Sequence, residues 1–149
     1  MNRRDVIISA AGSVAALSFA ALADQAKAAP ATGTAPAKYE YNTELFDAAR
    51  ECLRVGIICL DHCVRSLSTG DKMMAECAAT VRAMLPLCEA TSALALQNSA
   101  HLKALAAICA KACRDCEAAC KKHAAHHVEC KACMDGCGKC AAACEKAAA

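Results

Sequence analysis

The chain has 149 residues, of which 14 are cysteine and 3% are aromatic, and a formal net charge of +2. Such a small charge gives no support for binding to nucleic acid or to an anionic membrane surface, and the length is that of one domain. There is no tryptophan, and the second half is rich in alanine, cysteine, lysine and glutamate. The interior of an ordinary domain is filled by large apolar side chains, which are scarce in this half of the chain. We therefore expect something else to occupy the interior of this domain.

The first 28 residues have the features of an export signal. Arg3 and Arg4 precede an apolar stretch, and the small-x-small pattern Ala26-Lys27-Ala28 follows it. This combination predicts a signal peptide, residues 1–28, that is cleaved after Ala28 and leaves no stable membrane anchor. The paired arginines resemble a twin-arginine signal, which predicts export to the periplasm or to the lumen of internal membranes.

A linker and four helices are predicted after the signal. Residues 29–42, with prolines and a glycine, read as a flexible linker, and residues 43–147 as a helical domain. The expected helices run from Thr43 to Ser68, from Asp71 to about Gln97, from Asn98 to about Lys122, and from about His127 to Lys146. Expected N-caps are Asn42 or Thr43, Asp71, and Asn98 or Ser99. Helices of this length with short connections pack best as an antiparallel up-down-up-down four-helix bundle, so the predicted fold class is all-α.

Three residues interrupt the helical pattern. Pro86 removes a hydrogen bond inside helix two, which predicts a kink near Leu85. Gly136 and Gly138 each weaken helix four by roughly 1 kcal/mol relative to alanine. Neither glycine is at a natural helix end, so we expect either close helix approach there or stabilisation by bound metal.

Cysteine recurs at helical spacing in all four predicted helices. The intervals are 4, 3 and 4 in helix three and 3, 4, 3 and 4 in helix four, which keep residues on one face. The same stripe includes Gly56 on helix one, and Val81 and Met84 on helix two. The fourteen cysteines are Cys52, Cys59, Cys63, Cys77, Cys88, Cys109, Cys113, Cys116, Cys120, Cys130, Cys133, Cys137, Cys140 and Cys144. We therefore predict a cysteine-lined core, with cysteine where leucine would normally lie.

Three interpretations of this stripe compete. Free cysteines can be small buried hydrophobes, but nine of them between Cys109 and Cys144 need a better explanation. Disulfides suit an exported protein with an even number of cysteines. However, Cβ atoms of helical neighbours are about 5–6 Å apart, whereas a disulfide needs about 3.5–4.5 Å. Only bridges between helices would fit, so a disulfide-stabilised structural bundle is an alternative to the third interpretation, metal binding.

The metal favoured by the stripe is Cu(I). A zinc ion with four thiolates keeps a negative charge, which is costly to bury, and the cysteine order differs from that of iron–sulfur proteins. Cu(I) is soft and monovalent, is satisfied by two thiolates, and leaves a core with one ion per thiolate near neutral. We therefore predict multiple Cu(I) ions as the cargo, with a zinc or cadmium thiolate store or a detoxification protein as the alternative.

The chain resembles the bacterial copper storage proteins, in particular their exported branch. The resemblance rests on the export signal, the four helices and the segments C-x3-C-x2-C-x3-C and C-x2-C-x3-C-x2-C-x3-C. It implies an antiparallel four-helix bundle filled by Cu(I) on cysteine thiolates, association into a homotetramer, and release of copper to a copper-requiring enzyme or chaperone. Exported members of the family are linked to copper supply for methane oxidation in methanotrophs.

Methionine and histidine residues gather at one predicted end of the bundle. The residues expected there are Cys63, Met73, Met74, Cys77, Cys120, His123, His126, His127 and Cys130. Thioethers and imidazoles bind copper more weakly than thiolates, which suits a loading port with Met73 and His123 as the best candidates. The competing interpretation is that the methionines fill gaps and the histidines are solvated. His62, beside Cys63, is a further candidate ligand, Met84 and Met134 are either ligands or core, and His101 belongs to the opposite end.

The predicted function is storage of Cu(I) without catalysis. The sequence contains no paired-carboxylate, Ser/His/Asp or nucleotide-loop constellation, and a single reactive thiol would not need thirteen companions. We therefore expect no enzyme activity, no nucleic-acid partner, and copper exchange along the bundle axis.

Overall fold

The computed structural model describes residues 40–149. They form helix α1 (Thr43–Ser68), a short 3-10 helix (Lys72–Met74), and helices α2 (Ala75–Leu96), α3 (Leu102–Lys121) and α4 (Val128–Ala148). Helix α1 packs against α2 and α4, and α3 packs against the same two helices, so the four helices close a ring around one axis. This confirms the predicted four-helix bundle. None of the helices in the described residues combines the length and apolarity needed to cross a membrane.

Both ends of α1 follow the local sequence. The Asn42 side chain accepts a hydrogen bond from the Leu45 backbone N–H at 3.0 Å and satisfies one of the free donors of the first turn. At the other end Gly70 adopts φ = +98°, a left-handed conformation that glycine tolerates without strain. The predicted bounds of helix one and its Asn42 cap are confirmed.

The start of α2 is preceded by the 3-10 helix. The Asp71 carboxylate accepts a hydrogen bond from the Met73 backbone N–H at 3.1 Å, so Asp71 is a cap, but of the 3-10 turn, whereas α2 itself begins at Ala75. Helix α2 continues through Pro86, whose side chain is on the exposed face. The kink near Leu85 stays a prediction.

The predicted capping of helix three by Asn98 or Ser99 is wrong. Helix α3 begins only at Leu102, and His101 at the N-cap position makes no capping hydrogen bond with its side chain. Asn98 instead has φ = +48° and its side-chain amide donates to the Glu40 carbonyl oxygen, while the Ser99 hydroxyl accepts from the His101 N–H. The two polar side chains therefore stabilise the connection between α2 and α3 rather than the first turn of α3.

One of the two glycines in α4 marks close helix approach. A Cβ atom at Gly136 would lie 2.7 Å from Val55 Cγ2 and 3.7 Å from the Cys52 Cα atom on α1. A Cβ atom at Gly138 would meet only the carboxylate end of Glu117, at 2.9 Å. The expectation of close approach is thus confirmed for Gly136, where α1 and α4 touch. Gly138 faces a flexible side chain instead, so for this residue stabilisation by bound metal stays a prediction.

We expect Gly136→Val to destabilise the copper-free protein by about 1–3 kcal/mol, because the short Val55 side chain cannot swing away from the new methyl groups. The matched control is Gly138→Ala, which should be neutral or stabilise by up to about 1 kcal/mol through better helix propensity. Urea unfolding followed by circular dichroism measures both. Equal stability of the two variants would show that the contact at Gly136 is not tight.

Candidate metal centre

The core of the bundle consists mainly of cysteine. All fourteen cysteine side chains have 0% exposure, and the largest other fully buried side chains are those of Leu45, Met74, Val81, Met84 and Thr91. Helical spacing of 3 and 4 explains this arrangement, since it places each cysteine on the face that the neighbouring helices cover. The predicted cysteine-lined core is confirmed.

The buried cysteines are free thiols. Their sulfur atoms lie close together: Cys77 Sγ and Cys120 Sγ are 3.3 Å apart, and Cys88 Sγ is 3.7 Å from Cys113 Sγ. These distances are far longer than a disulfide bond of about 2.05 Å. They match instead the spacing of sulfur atoms that share a metal ion, because a thiolate–metal bond is about 2.3 Å long.

The thiols form five neighbouring groups that together include every cysteine. Within each group the sulfur atoms all lie within 4.8 Å of one another. The groups are Cys59/Cys63/Cys77/Cys130, Cys59/Cys120/Cys133, Cys116/Cys133/Cys137, Cys52/Cys88/Cys113/Cys140 and Cys109/Cys140/Cys144. Cys59 and Cys133 join three of the groups, and Cys140 joins the other two. The two sets share no cysteine, but Cys52 Sγ of one lies 3.7 Å from Cys137 Sγ of the other, so ions could pass between neighbouring sulfur ligands along the whole core. Every group contains at least one cysteine of α4.

A buried thioether adds to the soft ligands. Met84 Sδ lies 3.1 Å from Cys88 Sγ and 3.6 Å from Cys52 Sγ, and its side chain has 0% exposure. Met84 therefore stands between two thiols on the axis, whereas Met134 is only partly buried at the edge of the core. Of the two methionines that the sequence left as either ligand or core, Met84 has the geometry of a ligand.

The electrostatics of the core favour ions that leave it without net charge. Among the described residues the only buried polar or charged side chains are Thr91 and Ser92, so no cation lies beside the thiols. Burial raises the pKa of the Cys63 and Cys130 thiols, and the neighbouring Cys59 and Cys77 raise both pKa values further. Without metal the Cys63 and Cys130 thiols are therefore neutral, and a monovalent cation that binds either sulfur must displace a proton.

Four of the five methionine and histidine residues predicted at one end of the bundle meet there, whereas His126 is exposed and does not line their cavity. An open cavity of about 310 Å³ is lined by Asp71, Met73, Met74, Glu76, Lys122, His123 and His127. Met74 is buried while Met73 is 74% exposed, so the two thioethers run from the core to the surface. Lys122 Nζ is 2.7 Å from Glu76 Oε2, an ion pair that joins α2 to α3 at the rim. Met73 and His123, the two candidates for the loading port, thus share one cavity.

His62 takes part in a contact that sequence reasoning missed. Its Nε2 atom lies 2.9 Å from His127 Nδ1, and its Nδ1 atom lies 3.6 Å from Glu129 Oε2. The ring therefore joins α1 to the start of α4, and no thiol group includes His62. The signal available in the sequence was the position of His127 and Glu129 within the three residues before Cys130. His101 is exposed and lies at the opposite end.

Comparison with known proteins defines the class to which this arrangement belongs. The chain is similar to the apo form of copper storage protein 3 from Bacillus subtilis, with 28% identity, a TM-score of 0.63, and coverage of 73% of this chain and 100% of the other. It is also similar to a Cu(I)-bound form of a copper storage protein, with 25% identity, a TM-score of 0.68, and coverage of 74% and 100%. No curated protein matches the chain.

A third solved structure shares the fold: the copper storage protein of Streptomyces lividans loaded with 10 copper equivalents, with 23% identity, a TM-score of 0.65, and coverage of 77% and 92%. The fold and the buried thiols together define a metal-storing four-helix bundle. The family model for copper storage proteins matches residues 38–149, which is most of the chain. The protein belongs to the copper storage protein family, and its cargo is copper.

Proposed function

We propose that this protein stores on the order of one Cu(I) ion per cysteine and acts without catalytic turnover, with all fourteen thiolates as ligands. The observation that carries the proposal is the complete burial of fourteen free thiols in adjoining groups. A core without cations favours a monovalent soft ion, because each Cu(I) cancels the charge of one thiolate.

Anaerobic titration of the protein with Cu(I) tests the proposed capacity. We expect saturation at a copper content close to the number of cysteines, since every sulfur belongs to a group that can hold an ion. Metal analysis after gel filtration gives the bound ratio, and a thiol assay on the loaded protein shows whether all sulfurs are occupied. Saturation at three or four ions per chain would contradict the proposal and favour zinc-type sites.

A zinc store is the second candidate, because one observation favours it. In the group Cys52/Cys88/Cys113/Cys140 the Cys88 sulfur lies 3.7 Å from Cys113 and 3.9 Å from Cys140, close to the edge of a tetrahedral zinc–thiolate site. Four thiolates around Zn(II) would leave a buried negative charge with no cation near it. Competition between Cu(I) and Zn(II) for the thiols distinguishes the two, and we expect Cu(I) to displace Zn(II).

We also propose that copper is loaded through the cavity at the methionine and histidine end, with Met73 and His123 as transient ligands. Met73→Leu combined with His123→Ala should slow Cu(I) uptake several-fold and leave the final capacity unchanged, because the weak ligands pass ions on to thiolates. His101→Ala, at the opposite end, is the matched control. Stopped-flow measurement of Cu(I) uptake gives the rate. An unchanged rate in the double variant would show that copper is not loaded through Met73 and His123.

The remaining parts of the proposal concern the setting of the protein. The export signal, residues 1–28, and the linker, residues 29–42, lie almost wholly outside the described residues and rest on the sequence alone. We propose export by the twin-arginine route, a periplasmic location, a homotetramer, and a copper-requiring enzyme or chaperone as recipient. Fractionation of producing cells and N-terminal sequencing of the exported protein test the first two, with cleavage expected after Ala28.

A further inference from the structure

The thioether of Met84 lies where two thiols from different helices converge. Its Sδ atom accepts hydrogen bonds from the Cys88 thiol at 3.1 Å and from the Cys52 thiol at 3.6 Å, and the side chain is fully buried. Because a thioether carries no proton, both contacts use lone pairs of the methionine sulfur. A thioether binds Cu(I) through the same lone pairs, and here they point at two thiols of the copper store.

A glycine on α1 leaves the space that the Met84 side chain occupies. Gly56 lies on the inward stripe of α1 between Cys52 and Cys59, at a position where a side chain would point into the core. A Cβ atom there would lie 3.0 Å from the methyl carbon of Met84 and 2.9 Å from Leu85 Cδ2, both closer than ordinary packing allows. Glycine also weakens the interior of a helix relative to alanine. Helix α1 therefore omits a side chain on its inward stripe, and α2 fills the gap with a soft sulfur.

The position of Met84 along the bundle axis connects it with thiols on both sides. Cys52 and Cys88, which contact the thioether, belong to the same group of four thiols. Cys52 Sγ also lies 3.7 Å from Cys137 Sγ, which belongs to the other set of groups. An ion held by Met84 and Cys52 therefore has further sulfur ligands within reach in both directions along the core.

The charge of the core explains why a thioether suits this position. In a core that holds one Cu(I) per thiolate, an ion gains a second or third thiolate only by sharing it with neighbouring ions. An additional thiolate would bring a negative charge, and no buried cation among the described residues would balance it. Met84 supplies a soft sulfur without charge, so the ion beside it gains a ligand while the core stays neutral.

We propose that Met84, Cys52 and Cys88 form a mixed thioether–thiolate site for Cu(I), and that Gly56 keeps open the space for its methionine ligand. The inference rests on the proposed Cu(I) storage and adds a ligand that is neither a cysteine nor part of the methionine and histidine end. Three sulfurs bonded to one ion at about 2.3 Å are about 4 Å apart, so the observed contacts open by about 1 Å or less on binding. Binding exchanges ligands at Cu(I) without a change of oxidation state, and the protons of the two thiols leave to solvent.

X-ray absorption at the selenium edge tests the bond between the thioether and copper. The protein is produced with selenomethionine and loaded anaerobically with Cu(I), and scattering from copper bonded directly to selenium is measured. We expect this scattering in the loaded wild type and a clear loss of it in Met84→Leu, which keeps the volume of the side chain. The matched control is Met134→Leu, at the edge of the core, which should retain the full signal. An identical signal in Met84→Leu and the wild type would overturn the proposal.

Competition with a Cu(I) chelator tests the role of Gly56. Gly56→Ala and Met84→Leu should each weaken the binding of one Cu(I) per chain about tenfold, because the added methyl group displaces the thioether that the second variant removes. The double variant should bind no more weakly than Met84→Leu alone, since both substitutions act on one ligand. The matched control is Gly138→Ala, whose Cβ atom would meet only the carboxylate of Glu117. Circular dichroism checks that each variant is folded, and the selenium measurement needs no change at Gly56.

The outcomes separate the mixed site from the storage function. Additive losses in the double variant, or an equal loss in Gly138→Ala, would contradict the pairing of Gly56 with Met84. Full Cu(I) capacity without a selenium–copper bond at Met84 would overturn the mixed site and leave storage standing. Saturation of the wild type at three or four ions would overturn both.

Discussion

Replacing the five cysteines of α4 by alanine is expected to remove more than five Cu(I) ions from the capacity of the protein. The affected residues are Cys130, Cys133, Cys137, Cys140 and Cys144. Each of the five thiol groups contains at least one of them, and two groups contain two. Because a Cu(I) ion needs two thiolates, the loss of a shared sulfur also leaves its neighbours without a bridge. Anaerobic titration followed by metal analysis measures the remaining capacity.

The matched comparison removes the three cysteines of α1, Cys52, Cys59 and Cys63, which belong to only three of the five groups. Two groups, Cys116/Cys133/Cys137 and Cys109/Cys140/Cys144, stay complete in that variant, so its loss should lie close to three ions. Alanine keeps helix propensity high in both variants, which circular dichroism checks. A loss strictly proportional to the number of cysteines removed in both variants would show that the thiols bind copper independently rather than in groups.

The cysteine-lined core could be predicted from the sequence because its cause is local. Spacings of 3 and 4 fix the face on which a helical residue lies, whatever the partner helix is. The two ends of α1 could also be predicted from local sequence, because Asn42 and Gly70 lie within a few residues of the helix ends that they determine. Local patterns therefore predicted both ends of α1 and the set of buried sulfurs.

The features that the sequence did not reveal depend on contacts between distant residues. Asn98 looked like a helix cap, but its amide reaches the backbone of Glu40 near the start of the described chain. His62 on α1 contacts His127 and Glu129 at the start of α4. The division of fourteen thiols into five groups depends likewise on the axial register of the four helices. A spacing rule within one helix carries no information on that register.

The copper-free protein is expected to lose stability as the pH rises above about 8.5, which is the pKa of a thiol in an unfolded chain. Burial raises the pKa of Cys63 and Cys130 in the folded state, so there they stay protonated while the unfolded chain ionises. The unfolded state then binds fewer protons, and the free energy of unfolding falls with pH. At pH 10 the loss is about 2 kcal/mol for each of these thiols.

The loaded protein should show the opposite slope. Thiolates that hold Cu(I) have already lost their protons, so the folded state now binds fewer protons than the unfolded chain below pH 8.5. Stability therefore rises with pH up to that value and levels off above it. Urea unfolding of both forms between pH 6 and pH 10, followed by circular dichroism under reducing, anaerobic conditions, separates the two slopes. Since other titrating groups contribute alike to both forms, the difference between the two stability curves isolates the contribution of the thiols. Parallel curves would mean that copper binding does not remove the protons of the thiols.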